Sequence, residues 1–502
     1  MEPKIFFWMD NLYIHFFLAK ALQENFKCKL YGCFELTDKP MKYFNKQKLV
    51  NFEKIWFYYD HIKKINKKAD LEYLENFEKK YKINLWKIAF NDRFFNRYNQ
   101  YYKFSNNEIL LILEQECKFY EKILDEVKPD FLICYLTHQQ HNHIFYELCK
   151  SKGIQILLLT PAHIGGDKWI ISDTWDKFLP LDDNSHNEKT DEKKQVEPKD
   201  YLLERRQRRT AEIMDQKFNN SISQYLKAAM KYIFSSNTNP ETHYTYYGRN
   251  KVKVISEMLN YEMKKKRRAS FMNKELKKEI KFNEPFIYFP LHQEIESNLL
   301  IRAPFQINQV ETIRQIAQSI PLGYKLVVKD HKVMADRGWR SISDNKEIIN
   351  LPNVELLHPS VDSNEIFPKC SLVISIGGSS SIEAAFYNKP SISFREIGHY
   401  RLPSIKIVSS MPELANSIKE SLETVVHTKD VKNFLEKTIS VSFDFDFFEL
   451  MVELYEKNNF SGFLADNEFL EEEMNGFYEK NKEKFDLFAK EHIKKINKLI
   501  NS

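Results

Sequence analysis

Cysteine is sparse and has no pairing pattern: Cys28, Cys33, Cys117, Cys134, Cys149 and Cys370 include no C-x-x-C spacing. That argues against a zinc site and fits reduced, mostly buried thiols. Net charge is also small. The 75 Lys and Arg stand against 70 Asp and Glu and leave +5, so nothing general points to nucleic acid as a partner. The amino-terminal stretch MEPKIFFWMDNLYIHFFLAKAL lacks an unbroken apolar run, being interrupted by Asp10, Asn11 and His15. Neither a signal peptide nor a membrane span is expected there, and the protein is expected in the cytoplasm. Glycine is scarce, at 12 residues; alongside the Lys, Asn, Ile and Phe bias this reads as an AT-rich coding sequence and carries no structural argument. No repeat of solenoid period is found.

Material for a core is plentiful. Hydrophobic residues make up 43% and aromatics 14%, with 39 Phe and 26 Tyr, which excludes disorder of the whole chain. At 502 residues the chain exceeds the ~250–300 residues at which single cores stop growing, so two domains with helical additions are expected.

The opening reads as strand, helix, strand: Lys4–Met9, Leu12–Glu24 and Lys29–Phe34. A stretch rich in Lys, Tyr and Phe then reads as helical. Ile109–Val127 has helical spacing, Pro129-Asp130 breaks it, and Phe131–Leu136 is a short buried strand. The helix His143–Ser151, a stop at Gly153 and the strand Ile154–Thr160 complete a further βαβ unit. Residues 1–180 are therefore expected to form one Rossmann-like α/β domain. Asp182–Asp200 is polar linker, and residues 181–280 read as linker and charged helices. This region holds the basic runs RRQRR (Arg205–Arg209) and KKKRR (Lys264–Arg268), which read either as a solvated helix face or as a patch facing an anionic membrane. From Pro285 strands alternate with helices again: Phe286–Leu291, Gln309–Ser319, Tyr324–Lys329, Val354–Leu357, Ser371–Ile376 and Ser391–Phe394. That pace indicates a second parallel, doubly wound domain over 281–425. Residues 426–502 read as carboxy-terminal helices.

Three segments of the second domain carry chemistry. In SLVISIGGSSSIEAAFYNKPSISF (371–394) a buried strand runs into Gly377-Gly378-Ser379-Ser380-Ser381 and a helix, with Glu383 in its first turn. Glycines allow close approach of the backbone, serines and amides suit a phosphate, and Glu383 suits ribose hydroxyls. The alternative is a capped helix that Ser381 and Glu383 merely serve. In VVKDHKVMADRG (Val327–Gly338), Lys329, His331 and Lys332 follow a strand end, where open parallel sheets bind ligands. YFPLHQEIESN (Tyr288–Asn298) places His292, Gln293, Glu294 and Glu296 at the end of the domain's first strand; a charged helix start is the competing reading.

Together these segments resemble the capsule polysaccharide biosynthesis protein family, which includes bacterial Kdo transferases. The resemblance spans roughly residues 285–400, and TPAHIGGDKWIISD (Thr160–Asp173) is similar to a weaker amino-terminal element. It implies a GT-B-like fold, two Rossmann-like domains facing a cleft, and transfer of an ulosonic acid such as Kdo from a CMP-sugar. It places His331 at the His-Pro position of the donor loop and makes Ser379–Ser381 with Glu383 the donor turn. Lys332 stands where the family has proline, so the loop loses a fixed φ. A more distant likeness reaches CDP-glycerol glycerophosphotransferases.

The expected donor-binding set is thus His292, Lys329, His331, Gly378, Ser379, Ser380, Ser381 and Glu383. A base should come from the first domain. In THQQHNH (Thr137–His143), His138, His141 and His143 follow a strand end. Asp10, His138 and His163 are the candidate bases, and the sequence does not rank them. No nearby carboxylate or Cys completes a metal set with the histidines, so no metal and no cofactor are expected. The expected partners are a nucleotide-sugar donor and a glycan or lipid-linked glycan acceptor, with peripheral contact at the inner face of the plasma membrane. The reading from another class is a non-catalytic protein that binds a sugar nucleotide or glycan.

Overall fold

A computed structural model of the chain describes residues 2–9, 13–36, 38–90, 92–96, 99–164, 168–174, 230, 233–234, 243–294, 297–331, 340–396, 398, 401–457 and 469–501. Asp10, Asp182–Asp200, Arg205–Arg209, Glu296 and Lys332 lie outside the described residues.

The strands are β1 (Lys4–Met9), β2 (Lys29–Phe34), β3 (Lys54–Phe57), β4 (Phe131–Tyr135), β5 (Gln155–Pro161), β6 (Lys168–Ser172), β7 (Phe286–Pro290), β8 (Lys325–Lys329), β9 (Val354–Leu357), β10 (Leu372–Ser375), β11 (Ser391–Ser393), β12 (Ile405–Ile407) and β13 (Phe443–Asp444). They form two sheets, ordered β13-β6-β5-β4-β1-β2-β3 and β12-β11-β10-β7-β8-β9. Apart from β13, each sheet runs third, second, first, fourth, fifth, sixth strand, the doubly wound order of dinucleotide-binding folds. The second sheet is parallel throughout. In the first, β6 and β13 pair antiparallel at one edge. The protein therefore has two Rossmann-like domains. The order reverses between β1 and β4 in one sheet, and between β7 and β10 in the other.

Both faces of each sheet are covered. Along β1, Ile5, Phe7 and Met9 enter one core and Phe6 and Trp8 the other; along β7, Ile287 and Phe289 alternate with Phe286 and Tyr288 in the same way. Burial on both faces is why these strands read as continuous apolar runs. Helices start where side chains can take their unpaired amides. Ser105 and Glu108 make a reciprocal capping box on Asn106–Val127, and Asn308 caps Gln309–Ser319 through Glu311 N.

Three features depart from the sequence reading. The stretch after β2 contains the strand β3, four residues opening on Lys54 and too short to show a period. Lys168–Ser172 forms a hairpin with β5. The carboxy-terminal region also supplies a strand: Phe443 pairs with Trp169, and Phe477, Phe485 and Phe488 complete the first sheet's core over the helix Ile14–Asn25.

A separate cluster joins the domains. Ala162, Ile164 and Ile170 from the β5–β6 hairpin pack with Ile382, Ala385 and Phe386, which follow β10, and with Val431, Phe434 and Leu435. The carboxyl ends of β5 and β10 are thus brought together. Among the described residues no helix is long and apolar enough to cross a membrane.

Candidate functional site

At the second sheet's switch point, His292 lies two residues beyond β7 and the glycine turn follows β10. Ser375, the last residue of β10, accepts hydrogen bonds at Oγ from Gly377 N (3.3 Å) and Gly378 N (2.9 Å), and lies 3.3 Å from His292 Nε2. A Cβ added to Gly378 would stand 2.5 Å from His292 Cε1, so this glycine is required by the imidazole laid against it. Gly377 has φ +152°, and a Cβ there would stand 2.0 Å from Arg395 Nε. Arg395 in turn donates to Gly377 O at 2.7 Å. The glycines therefore admit His292 and Arg395, and both their amides are bonded to Ser375. Burial, then Arg395 and His331, push the His292 pKa down to about 3, so the ring is neutral at pH 7.

The His331 loop is reached through two contacts. His331 is exposed, its Nδ1 lies 3.4 Å from Gln293 Nε2, and its backbone N–H donates to Asp330 Oδ1 at 2.9 Å. Asp330 is buried and takes Arg340 Nε at 2.9 Å, while Arg340 Nη1 reaches the buried Glu294 at 2.9 Å. Burial alone would lower the Arg340 pKa, but the two carboxylates outweigh it and raise it. One buried guanidinium thus ties the His292 loop to the His331 loop.

Of the remaining donor candidates, Lys329 Nζ donates to Val361 O at 3.0 Å. Ser379 Oγ donates to Glu383 Oε1 at 2.8 Å. Ser380 opens the helix Ser380–Phe386, and Ser381 is fully buried, with its Oγ unpartnered. Within the turn, Glu383 accepts from the N-cap residue of its own helix. His292, Gly378, Ser379 and Glu383 come together, with His331 alongside; Lys329 is half-buried and Ser381 faces the protein interior.

At the first sheet the three histidines diverge. His143 Nδ1 lies 3.0 Å from Thr137 Oγ1. His141 is fully buried, with Nε2 3.0 Å from Glu35 Oε1 and Nδ1 3.2 Å from Tyr244 OH. His138 is half-buried, its backbone carbonyl accepting from Arg93 Nη2 at 3.2 Å. His163 is half-buried in the β5–β6 turn with φ 60°, between the joint residues Ala162 and Ile164. Among the described residues no three His, Cys, Asp or Glu stand together to hold a metal ion.

His138 stands where both domains act on it. Burial, then Arg93, and finally Arg302 of the second domain lower its pKa to about 4, against the opposing pull of Glu35. The ring is neutral at pH 7.

Behind His138 lies a buried polar network that the sequence reading missed. The Trp8 indole donates to Glu35, Tyr58 OH donates to Glu116, and Gln140 Nε2 donates to Glu116 at 2.7 Å. Gln140 N donates to the buried Asp92 at 3.1 Å. Burial favours a neutral Glu35, but His141 and the Trp8 indole hold its pKa below the usual range. Burial disfavours a charged His141, yet Glu35 raises its pKa. Burial dominates at Glu116 and lifts it to about 7. Glu35 and Tyr58 each directly follow a strand, as do Asp330 and, two residues beyond β11, Arg395. The rule that singled out His138 would have found them.

No family model matches the chain and no curated protein matches it, so the family resemblance rests on the quoted segments alone. Solved structures do align with it. UDP-GlcNAc 2-epimerase from Methanocaldococcus jannaschii is 10% identical, covering 88% of this chain and 100% of that one at a TM-score of 0.24. The Neisseria meningitidis UDP-GlcNAc 2-epimerase bound to UDP-GlcNAc is 12% identical, over 87% and 100%, at 0.26. The spinosyn rhamnosyltransferase SpnG complexed with spinosyn aglycone is 9% identical, over 87% and 96%, at 0.25. Superpositions this loose assign neither fold nor activity; the fold assignment stands on strand order.

Proposed function

We propose that the chain is a GT-B-type glycosyltransferase of capsule or surface polysaccharide assembly, taking its sugar from a nucleotide donor such as a CMP-ulosonic acid. The observation that carries this reading is the placement of His292 and the Gly377–Ser380 turn on the two strands flanking the second switch point. That crevice is where open α/β sheets bind nucleotides. The leaving nucleotide gains phosphate charge as the glycosidic bond breaks. Imidazole N–H groups of His292 and His331, with the Arg395 guanidinium behind the turn, favour that charge more in the transition state than in the ground state.

Across the domain joint, neutral His138 is the base that removes the acceptor hydroxyl proton. A neutral imidazole at the end of β4 whose charged form is opposed by Arg93 and by Arg302 of the opposite domain favours this over a non-catalytic binding protein, which needs no such group. Loss of one transition-state donor costs roughly 2.7–4 kcal/mol. His331→Ala is therefore expected to slow nucleotide release from the donor on the order of a hundredfold while its melting temperature stays that of the parent. Full turnover in a folded His331→Ala protein contradicts the donor assignment.

A further inference from the structure

The helix Lys251–Glu275 is the longest among the described residues, yet it buries only Met272. Among the described residues, seven of the nineteen large apolar side chains left exposed lie between Met230 and Met263, so the exposure is concentrated at this helix and just before it. Phe234 is 83% exposed, Val252 79%, Leu259 62% and Met263 55%. Val252, Leu259 and Met263 are seven and four residues apart and share one helix face, an apolar stripe of about 16 Å. The exposed cations Lys266 and Arg267 continue that face, with Lys264 beside it, and none of the exposed side chains from Val252 to Ser270 is acidic.

Both ends of the helix are tied to the candidate site. Arg249, just before it, lies over the rings of Tyr101 (4.8 Å) and Tyr246 (5.0 Å). The adjoining turn sets Tyr244 against His141. Near the other end Arg268 Nη1 donates to Arg340 O at 3.2 Å, and Arg340 is the guanidinium that joins the His292 and His331 loops. The helix thus runs from the edge of one domain's site to the edge of the other's.

We propose that this face rests on an anionic lipid bilayer, its apolar side chains in the headgroup boundary and Lys264, Lys266 and Arg267 on acidic headgroups. A solvated helix has no use for an apolar stripe, and an uncharged protein partner none for three exposed cations, with Glu257 and Glu262 half-buried. An interfacial helix uses both. The surface is independent of what the site transfers, because membrane binding is read without turnover; with the transferase reading, it brings the enzyme to the bilayer that carries a lipid-anchored acceptor.

The test is sedimentation of the full chain with vesicles of phosphatidylcholine, alone or mixed with phosphatidylglycerol. The parent is expected to bind the mixed vesicles at least about tenfold more tightly than the neutral ones, and less so at high salt. Leu259→Glu/Met263→Glu is expected to lose about tenfold or more in binding to mixed vesicles, and Lys264→Gln/Lys266→Gln/Arg267→Gln a similar amount. Because the altered side chains are exposed, circular dichroism and melting temperature should match the parent. If the glutamate variant fails to fold, the glutamine variant decides. Absence of parent binding to mixed vesicles overturns the proposal, as does parent-like binding by the folded variants. So does a dimer in light scattering that Leu259→Glu/Met263→Glu splits, without vesicle binding by the parent, since the face would then be a contact between copies of the chain.

Discussion

His138→Ala is expected to lower kcat by about 10²–10⁴-fold while leaving the affinity for nucleotide unchanged. The imidazole follows β4 at the first sheet's switch point, and the nucleotide is assigned to the second sheet's. Removing the base therefore strikes the acceptor half of the reaction alone. The pH profile adds a sign. A base works when deprotonated, and the pKa of His138 is held near 4 by burial and by Arg93. The acidic limb of kcat should accordingly fall only below about pH 5, with a plateau through neutrality. Steady-state kinetics from pH 4 to 8, with nucleotide release as the signal, checks both. A limb near pH 6.5 that survives in His138→Ala contradicts the role given to this residue.

Acid is expected to weaken the docking of the carboxy-terminal helix on the first domain. His15, on the helix Ile14–Asn25, and His492, on the helix Lys482–Ile500, are 1% and 0% exposed. Neither ring nitrogen of His15 has a hydrogen-bond partner, and His492 has one, its Nδ1 donating to Phe488 O at 2.9 Å. Burial, then His492, push His15 down to about 3; burial pushes His492 to about 4, the Phe488 carbonyl opposing. Both folded pKa values lie below the unfolded value near 6.5. Their contribution to stability is therefore complete above about pH 6.5 and is lost as pH falls toward 4 and 3. At pH 5 each imidazole forfeits about 2 kcal/mol relative to the unfolded chain, a large part of a domain's net stability. In His15→Phe/His492→Leu the fall in melting temperature between pH 7 and pH 5 should shrink by roughly 10 °C. His138, His243 and His292, also depressed by burial, leave the variant some acid sensitivity. An identical fall in parent and variant contradicts the assignment.

The second sheet was legible because its strands are buried on both faces: FIYFP, LVIS and their neighbours are near-continuous apolar runs, and residues directly after them were open to inspection. In the first sheet, β3 has four residues and no period. β6 and β13 acquire their meaning from each other, since a pairing such as Phe443 with Trp169 is invisible in local sequence. Buried charge misled the reading most. Asp330, Glu294 and Arg340 look like surface loop residues until Arg340 is seen to pair with both carboxylates. Glu114 and Glu116 look like the wet side of an amphipathic helix, yet they are 1% and 0% exposed. The histidine cluster had the spacing of metal ligands, but its members turn to Glu35, Thr137 and the domain joint. Sequence spacing does not reveal partners that arrive from distant strands.

The central claim is that a nucleotide binds at the carboxyl edge of the second sheet's switch point, beside His292 and the Gly377–Ser380 turn. Calorimetric titration of CMP, CDP and UDP into the parent and into Gly378→Val measures it directly, because a side chain at Gly378 displaces the His292 ring that now stands 2.5 Å from the Cβ position. The account predicts that at least one nucleotide binds the parent and that its affinity falls about tenfold or more in the folded variant, a loss of at least about 1.4 kcal/mol. A folded parent that binds none of the three, or a Gly378→Val protein that binds as the parent does, would contradict it.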